Sequence, residues 1–160
     1  MRKICSILAI CSISFLQISC SVKTGCDTPR QEALDPASSL HLLGNTETTW
    51  QTNPPTSGPH YPIPPKGGNY DYTLSNLEQV AFLESGGVII QYAPNVKNFD
   101  RKQLSSFANE NVIVAPNQTL ESFLVATAWT WKLSCERYYP DKLRKFIDKY
   151  GGNPSNTHDQ

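Results

Sequence analysis

Residues 77–92 read LEQVAFLESGGVIIQY, and this stretch decides the fold class. Its last part, residues 88–92, is rich in β-branched and aromatic side chains, which predicts a strand. Residues 77–84 fit a short helix or a second strand, and a second strand would form a hairpin with the first across Gly86 and Gly87. Glycine allows the positive φ angle of a tight turn. The stretch therefore predicts a strand that follows a sharp reversal of the chain.

Further elements are predicted on the C-terminal side of this stretch. They are, in chain order, a helix at 101–109 with Asp100 as its N-cap, a strand at 112–115, a strand at 123–133, and a helix from Pro140 that ends at Gly151. Because alternate side chains of a strand face opposite sides of the sheet, Trp129 and Trp131 are predicted on the same side. The order predicts an α+β or α/β fold, with two or three helices packed on a small mixed sheet that a proline-rich loop precedes.

The N-terminus predicts export. Arg2 and Lys3 precede an uncharged run at residues 4–18, and small polar residues follow it. This is the order of a secretory signal sequence. The run is shorter than the roughly 20 apolar residues of a membrane-spanning helix. We therefore expect residues 1–20 to be a signal sequence and the remaining chain to be extracytoplasmic, either periplasmic or secreted.

The rest of the chain divides into three parts. Residues 21–49 lack a sustained period and predict a loosely structured arm, with a short helix around 31–34. Residues 50–154 form the predicted domain, and residues 155–160 are a polar tail. Removal of the signal leaves about 140 residues, which is a usual length for a single domain.

Composition limits the partners of this domain. The chain has 14 basic and 14 acidic side chains and no basic run. Since phosphate binding depends on clustered Lys and Arg, we do not expect nucleic acid as a partner. We expect a ligand or protein of the cell envelope instead, and contact with a membrane only through a lipid on Cys20.

Cys5 and Cys11 leave with the signal, whereas Cys20 lies at the expected cleavage point and Cys26 and Cys135 lie beyond it. In one scheme Cys20 becomes a lipid-modified N-terminal residue, although Gln17 stands where a lipobox has Leu. In the other, cleavage removes Cys20. Both schemes leave a Cys26–Cys135 disulfide, which an oxidising compartment favours. The alternative for Cys135 is a buried free thiol.

A proline-rich loop precedes the domain's main elements. Residues 53–65 read NPPTSGPHYPIPP and hold six of the twelve prolines. Proline fixes φ and lacks an N–H, so this segment is neither a helix nor a central strand. It is either a rigid linker that covers the domain edge or a pre-organised loop that presents His60 and Tyr61. The other two histidines, His41 in the arm and His158 in the tail, are predicted to be solvent-exposed.

Glu84 lies between an apolar segment and the glycine turn. It either accepts hydrogen bonds from the turn or pairs with a nearby Lys or Arg. Alternatively, it forms an acid–base pair with His60 in a cleft lined by aromatic side chains. The candidate ligand-binding residues are His60, Tyr61, Glu84, Ser85 and Trp129. No nucleophile elbow, Cys-x-x-Cys, His-x-x-x-His or phosphate-binding loop occurs, so an enzyme is not favoured.

The NPPTSGPHYP segment at 53–62, together with LESGGVIIQY at 83–92, resembles the DUF3105 family of uncharacterised exported or membrane-anchored proteins. Shorter matches at 114–116, 127–129 and 146–150 extend the resemblance over residues 48–154. Since that family has no established activity, the resemblance implies a fold and not a function.

The chain departs from the family at one motif. There the segment before the glycines reads His-x-Leu-Glu-His-Gly, and those two histidines with the loop histidine would supply three metal-binding nitrogens. Here the two positions are Ala81 and Ser85, and only His60 and Glu84 remain. If the family binds a metal, this member is expected to have lost the site or to bind more weakly.

The leading hypothesis is therefore a non-catalytic, exported domain that binds an envelope ligand or partner through the proline-rich loop and needs no cofactor. The alternative is a metal-binding protein or metalloenzyme that holds a divalent transition metal at a degenerate site around His60 and Glu84.

Overall fold

The structure is a computed structural model, and it describes residues 25–44, 47–96 and 101–152. This part of the chain forms one six-stranded mixed sheet and three helices, which confirms the predicted α+β class. The elements are β1 (Arg30–Gln31), β2 (Gly68–Asn69), α1 (Asn76–Glu84), β3 (Val88–Tyr92), α2 (Lys102–Ser105), β4 (Val112–Pro116), β5 (Leu124–Ala128), β6 (Trp131–Cys135) and α3 (Pro140–Tyr150).

The strand order is β1-β6-β5-β3-β4-β2. Strand β3 runs parallel to β4, with Val88 opposite Val112, and antiparallel to β5, with Ile89 opposite Thr127. All five residues of β3 are buried. β3 is therefore a central strand covered on both faces, as its continuous apolar run indicates.

Two apolar clusters lie on the two faces of the sheet. The larger cluster packs Val88 and Ile90 of β3 against Leu143 and Phe146 of α3. The smaller one packs Ile89, the residue between them, against Phe82 and Leu83 of α1. Because side chains alternate along a strand, α1 and α3 cover opposite faces.

The segment at 77–84 is helical, so the hairpin alternative across the glycines is wrong. Ser75 caps the helix: its side chain accepts a hydrogen bond from the N–H of Glu78, whose carboxylate accepts one from the N–H of Ser75. Such a capping box favours a helix start. The predicted helix around 31–34 is also wrong, because Gln31 pairs with Trp131 as part of β1.

The predicted strand at 123–133 is two strands joined by a tight turn. Thr130 has a φ of 59° in this turn. Its N–H donates a hydrogen bond of 3.0 Å to the carbonyl of Thr56 in the proline-rich loop. Trp129 packs with the α1-side cluster and Trp131 with the α3-side cluster. The prediction that both face one side was wrong because it assumed a continuous strand.

The helix predicted at 101–109 is shorter than expected. It is limited to Lys102–Ser105, and no side chain caps its first turn. The proposed cap, Asp100, lies outside the described residues. The helix that begins at Pro140 is confirmed, with Leu143 and Phe146 as its buried residues.

A disulfide joins Cys26 to Cys135, which are 109 residues apart in sequence. The predicted pair is therefore present, and it ties the start of the arm to the end of β6. Cys20 and the predicted signal sequence lie outside the described residues. Among the residues that are described, none belongs to a helix of the length and apolarity needed to span a membrane. Both findings are compatible with an extracytoplasmic protein.

Two glycines shape the junction between α1 and β3. Gly86 has a φ of 91°, in the left-handed region that favours glycine. At Gly87 the constraint is space, because a Cβ there would lie 2.3 Å from Cε1 of Phe82. Phe82 is 4% exposed and belongs to the α1-side cluster, so its ring is not free to move away.

Gly87→Ala is expected to lower the free energy of unfolding by about 1–3 kcal/mol, because the added methyl group overpacks the core. Urea denaturation of the native chain and the variant measures the difference. Gly25→Ala is the matched control, since a Cβ at Gly25 meets no atom within 4 Å. Equal stability of the two variants would show that the ring of Phe82 moves aside without a loss of unfolding free energy, which would contradict this prediction.

Candidate metal centre

The proline-rich loop is packed into the protein. Every residue from 54 to 60 is buried. The hydroxyl of Ser57 accepts a hydrogen bond from the N–H of Asp35 at 2.9 Å, and the indole of Trp50 donates to the carbonyl of Pro59 at 3.1 Å. The loop is thus a fixed element that contacts the arm.

This packing fixes the ring of His60. The side chain is fully buried, and Nδ1 lies 2.8 Å from the carbonyl of Gly58. A carbonyl only accepts hydrogen bonds, so Nδ1 carries the proton and donates. In the neutral ring, Nε2 therefore has a free lone pair.

Nε2 of His60 lies 2.6 Å from Oε2 of Glu84. Despite this short distance, Nε2 has no hydrogen-bond partner among the described residues, so the two groups are close but not aligned for a hydrogen bond. A buried nitrogen without a partner is costly unless another group satisfies it. The contact accordingly marks a place where a cation would be favourable.

Helix α1 positions Glu84. Glu84 is its last residue, and its side chain is 14% exposed. On the sheet side, the helix is held by a buried chain of amides: Nδ2 of Asn117 donates to Oε1 of Gln91 at 2.6 Å, and Nε2 of Gln91 donates to Oε1 of Gln79 at 2.9 Å. Gln79 in turn donates to the carbonyl of Leu74. This network fixes α1 on β3 and β4, and with it the carboxylate at the helix end.

His41 is the third member of the cluster. The N–H of His60 donates to the carbonyl of Leu40, and the N–H of Leu42 donates to the carbonyl of His60. This pairing of arm and loop brings the two imidazole rings edge to face, with centroids 4.7 Å apart. Nε2 of His41 lies 3.9 Å from Oε2 of Glu84.

The position of His41 beside His60 and Glu84 was not predicted from the sequence. His41 was predicted to be a solvent-exposed residue of a loose arm, and its side chain is indeed 41% exposed. Its partner in the backbone pairing is His60, 19 positions later. No periodicity or spacing in the sequence indicates such an isolated bridge.

The donor atoms of His41, His60 and Glu84 all lie within 4.8 Å of one another. In a tetrahedral zinc site with bonds of about 2.0–2.1 Å, neighbouring ligand atoms are about 3.3 Å apart. The donors therefore need shifts on the order of 1 Å to surround one ion. Because His41 is partly exposed, one side of the cluster opens to solvent.

The other predicted ligand-binding residues have different surroundings. Tyr61 is half-buried, and its N–H donates to the carbonyl of Leu77 in α1. Ser85 is exposed, and its hydroxyl donates to the carbonyl of Phe82 at 2.8 Å. Trp129 packs with the α1-side cluster. Of the predicted residues, the structure brings together His60 and Glu84.

The positions that carry histidine in the resembling proteins also lie beside this cluster. Ala81 is buried within α1, and Ser85 follows the helix one turn later. Residues three and four apart share one helix face, so Ala81, Glu84 and Ser85 point to the same side. In this chain, the second histidine near Glu84 comes from the arm, as His41, and not from α1.

Among the described residues outside this cluster, Lys132 and Tyr70 have shifted pKa values. Burial lowers the pKa of Lys132, and the nearby carboxylate of Glu32, at 3.7 Å, partly opposes this shift. Burial raises the pKa of Tyr70, with smaller contributions from Tyr72 and Glu78.

Comparison with known proteins gives one match. No curated protein and no solved structure matches this chain. A family model described as "Protein of unknown function (DUF3105)" matches residues 41–160, and the matched region includes all three members of the cluster. Since the match covers most of the chain, the protein belongs to the DUF3105 family.

Proposed function

We propose that this protein is an exported, non-catalytic domain that binds one divalent transition-metal ion through His41, His60 and Glu84. The observation that carries the proposal is the buried Nε2 of His60. It has no hydrogen-bond partner among the described residues, yet it lies 2.6 Å from a carboxylate oxygen.

The donor set fits this class of ion. Imidazole nitrogens suit Zn²⁺, Cu²⁺, Ni²⁺ and Fe²⁺, and a carboxylate oxygen completes a set of two nitrogens and one oxygen. Metal-binding histidines generally donate their second ring N–H to a carbonyl or carboxylate, which orients the ring. The contact between Nδ1 of His60 and Gly58 has this form.

Burial within the proline-rich loop favours an ion over a protein partner as the ligand, although residues 62–64 of the loop are exposed. Because residues 54–60 are buried, that part of the loop offers little surface to another protein. A metal ion is small enough to enter the cluster from its solvent-exposed side at His41. The ligand of the proposed domain is therefore the ion itself.

A metalloenzyme is the second candidate, and one observation favours it. Catalytic zinc sites have three protein ligands and keep a fourth position for water or substrate. The 41% exposure of the His41 side chain gives this cluster an open side. A reaction would require a water molecule bound there.

Two features support export. The first is the order of charged and apolar residues at positions 1–20. The second is the Cys26–Cys135 disulfide, since disulfides persist mainly in oxidising compartments. Whether Cys20 carries a lipid depends on where the signal is cleaved, and both schemes leave the disulfide and the metal site unchanged.

The metal test uses the chain isolated from an oxidising compartment without a polyhistidine tag. After treatment with a chelator, isothermal titration with Zn²⁺ is expected to give one ion per chain. We expect His60→Ala to weaken binding by about 100-fold, since it removes the buried ligand and leaves two of the three proposed donors. His41→Ala and Glu84→Gln are expected to weaken it as well.

Ser85→Ala is the matched control, because Ser85 follows Glu84 directly but its hydroxyl already donates to Phe82. Circular dichroism checks that every variant is folded. The proposal is overturned if the native chain takes up none of Zn²⁺, Ni²⁺, Cu²⁺ and Co²⁺, or if folded His60→Ala binds zinc as the native chain does.

A further inference from the structure

A second feature lies on the other side of the sheet. A cleft of about 380 Å³ opens between α3, the first part of β6 and residues 28–29 of the arm. Small-molecule sites in proteins commonly occupy about 300–1,000 Å³. The candidate metal centre consists of His41, His60 and Glu84 at the end of α1, and none of these residues lines the cleft on the α3 side, so the two are separate.

The inside of the cleft is apolar and flat. Leu133 and Phe146, each 1% exposed, form its floor. Trp131 and Tyr150 line it as a stacked pair, with ring centroids 4.4 Å apart and planes 26° from parallel. Both rings are only partly buried. The two rings cover one face of each other, and the ammonium of Lys149 lies 5.2 Å from the ring centroid of Tyr150. An incoming apolar group therefore contacts the remaining exposed parts of the two rings.

The rim of the cleft is cationic. Lys142, Lys145 and Lys149 line it, and all three are exposed. Their spacing of three and four residues places them on one face of α3. No acidic side chain is among the described residues that line the cleft, and the two aspartates of α3, Asp141 and Asp148, do not line it. In a chain with zero formal net charge, this is a local excess of positive charge.

We propose that this cleft binds a small organic anion with a flat apolar body, such as an aromatic carboxylate, sulfonate or phosphate ester. The apolar body packs against the exposed parts of Trp131 and Tyr150 above the floor. The anionic group pairs with the lysine ammonium groups at the rim. The two parts of the cleft thus recognise the two parts of one ligand, and neither depends on a metal ion.

The test uses 8-anilinonaphthalene-1-sulfonate as a fluorescent probe and 2-naphthoate as a competitor. The native chain is expected to bind the probe at one site, and 2-naphthoate is expected to displace it at least tenfold better than the uncharged 2-naphthamide. Lys142→Gln/Lys145→Gln is expected to weaken probe binding about tenfold and to reduce its dependence on salt.

Lys66→Gln/Arg137→Gln is the matched control, since it removes the same charge from exposed positions outside the cleft. Trp131→Phe keeps an aromatic ring at this position but reduces the aromatic surface of the cleft. It is therefore expected to weaken probe binding and preserve the fold. The proposal is overturned if the two charge variants bind the probe alike, or if 2-naphthamide competes as well as 2-naphthoate. It is also overturned if the probe binds nowhere. His60→Ala is expected to leave probe binding unchanged, because His60 does not line the cleft. Failure of the metal proposal can therefore be distinguished from failure of this one.

Discussion

Replacing both cysteines, as Cys26→Ala/Cys135→Ala, is expected to lower the free energy of unfolding by about 4 kcal/mol. The bond closes a loop across a sequence separation of 109 residues. In the chain-entropy model, a crosslink that closes a loop of about 100 residues removes enough freedom from the unfolded chain to stabilise the native state by about 4.7 kcal/mol. Cys135 is 1% exposed, and alanine leaves a small space there, which adds to the loss.

Urea denaturation measures this effect, because the slope and midpoint together give the free energy. Reduction of the native chain with a non-thiol phosphine is expected to produce a loss of similar size. Gly25→Ala, next to Cys26, is the control, since an added Cβ there meets no atom within 4 Å and the bond stays in place. A loss below about 1 kcal/mol in the double variant would contradict the stabilising role of the disulfide.

Gln91→Leu is expected to lower the free energy of unfolding by about 3 kcal/mol. Gln91 is 1% exposed and accepts a hydrogen bond from Asn117 while it donates one to Gln79. The substitution leaves the amide group of Asn117 and the amide oxygen of Gln79 without these partners. Each buried polar group left unsatisfied costs about 1–3 kcal/mol.

Gln79→Leu/Gln91→Leu separates this explanation from simple loss of packing. If unsatisfied groups cause the loss, the double variant is expected to lose less than the sum of the single variants, because it removes one of the two orphaned groups. Gln103→Leu, at an exposed position of α2, controls for the change of residue type. Strict additivity would contradict the network explanation. Because this network holds α1, Gln91→Leu is also expected to weaken zinc binding at Glu84.

Local patterns in the sequence predicted much of the fold. The buried runs at 88–92 and 112–115 became β3 and β4, since a continuous apolar run is typical of a strand covered on both faces. The spacing of Leu143 and Phe146 predicted α3. These elements are specified by residues close to one another in the chain, so the periodicity of apolar residues in the sequence predicts them.

The β5–β6 turn could not be predicted in this way. Positive φ angles in hairpins are typical of Asn and Gly, but here Thr130 adopts one. The N–H of Thr130 donates a hydrogen bond to the carbonyl of Thr56, which lies 74 positions earlier in the chain. The turn depends on a tertiary contact with the proline-rich loop, and no local signal reports such a contact.

The residues of the candidate site show the same difference between local and long-range signals. His60 and Glu84 were found because one lies among prolines and the other beside a glycine turn. Their role as metal ligands stays a prediction. His41 lies in a segment without periodicity, and it reaches the cluster only through the backbone bridge to His60. A ligand that arrives through long-range pairing has no signature of its own in a single sequence.

The alternation of β3 between two covered faces has a consequence for how this protein can diverge. Ile89 and Gln91 contribute to one side, whereas Val88 and Ile90 contribute to the other. A substitution at one of these positions changes the lining of one half of the molecule and leaves the opposite half in place. The two halves can therefore accumulate mutations at different rates, and a designer can graft a new recognition surface onto one without rebuilding the other.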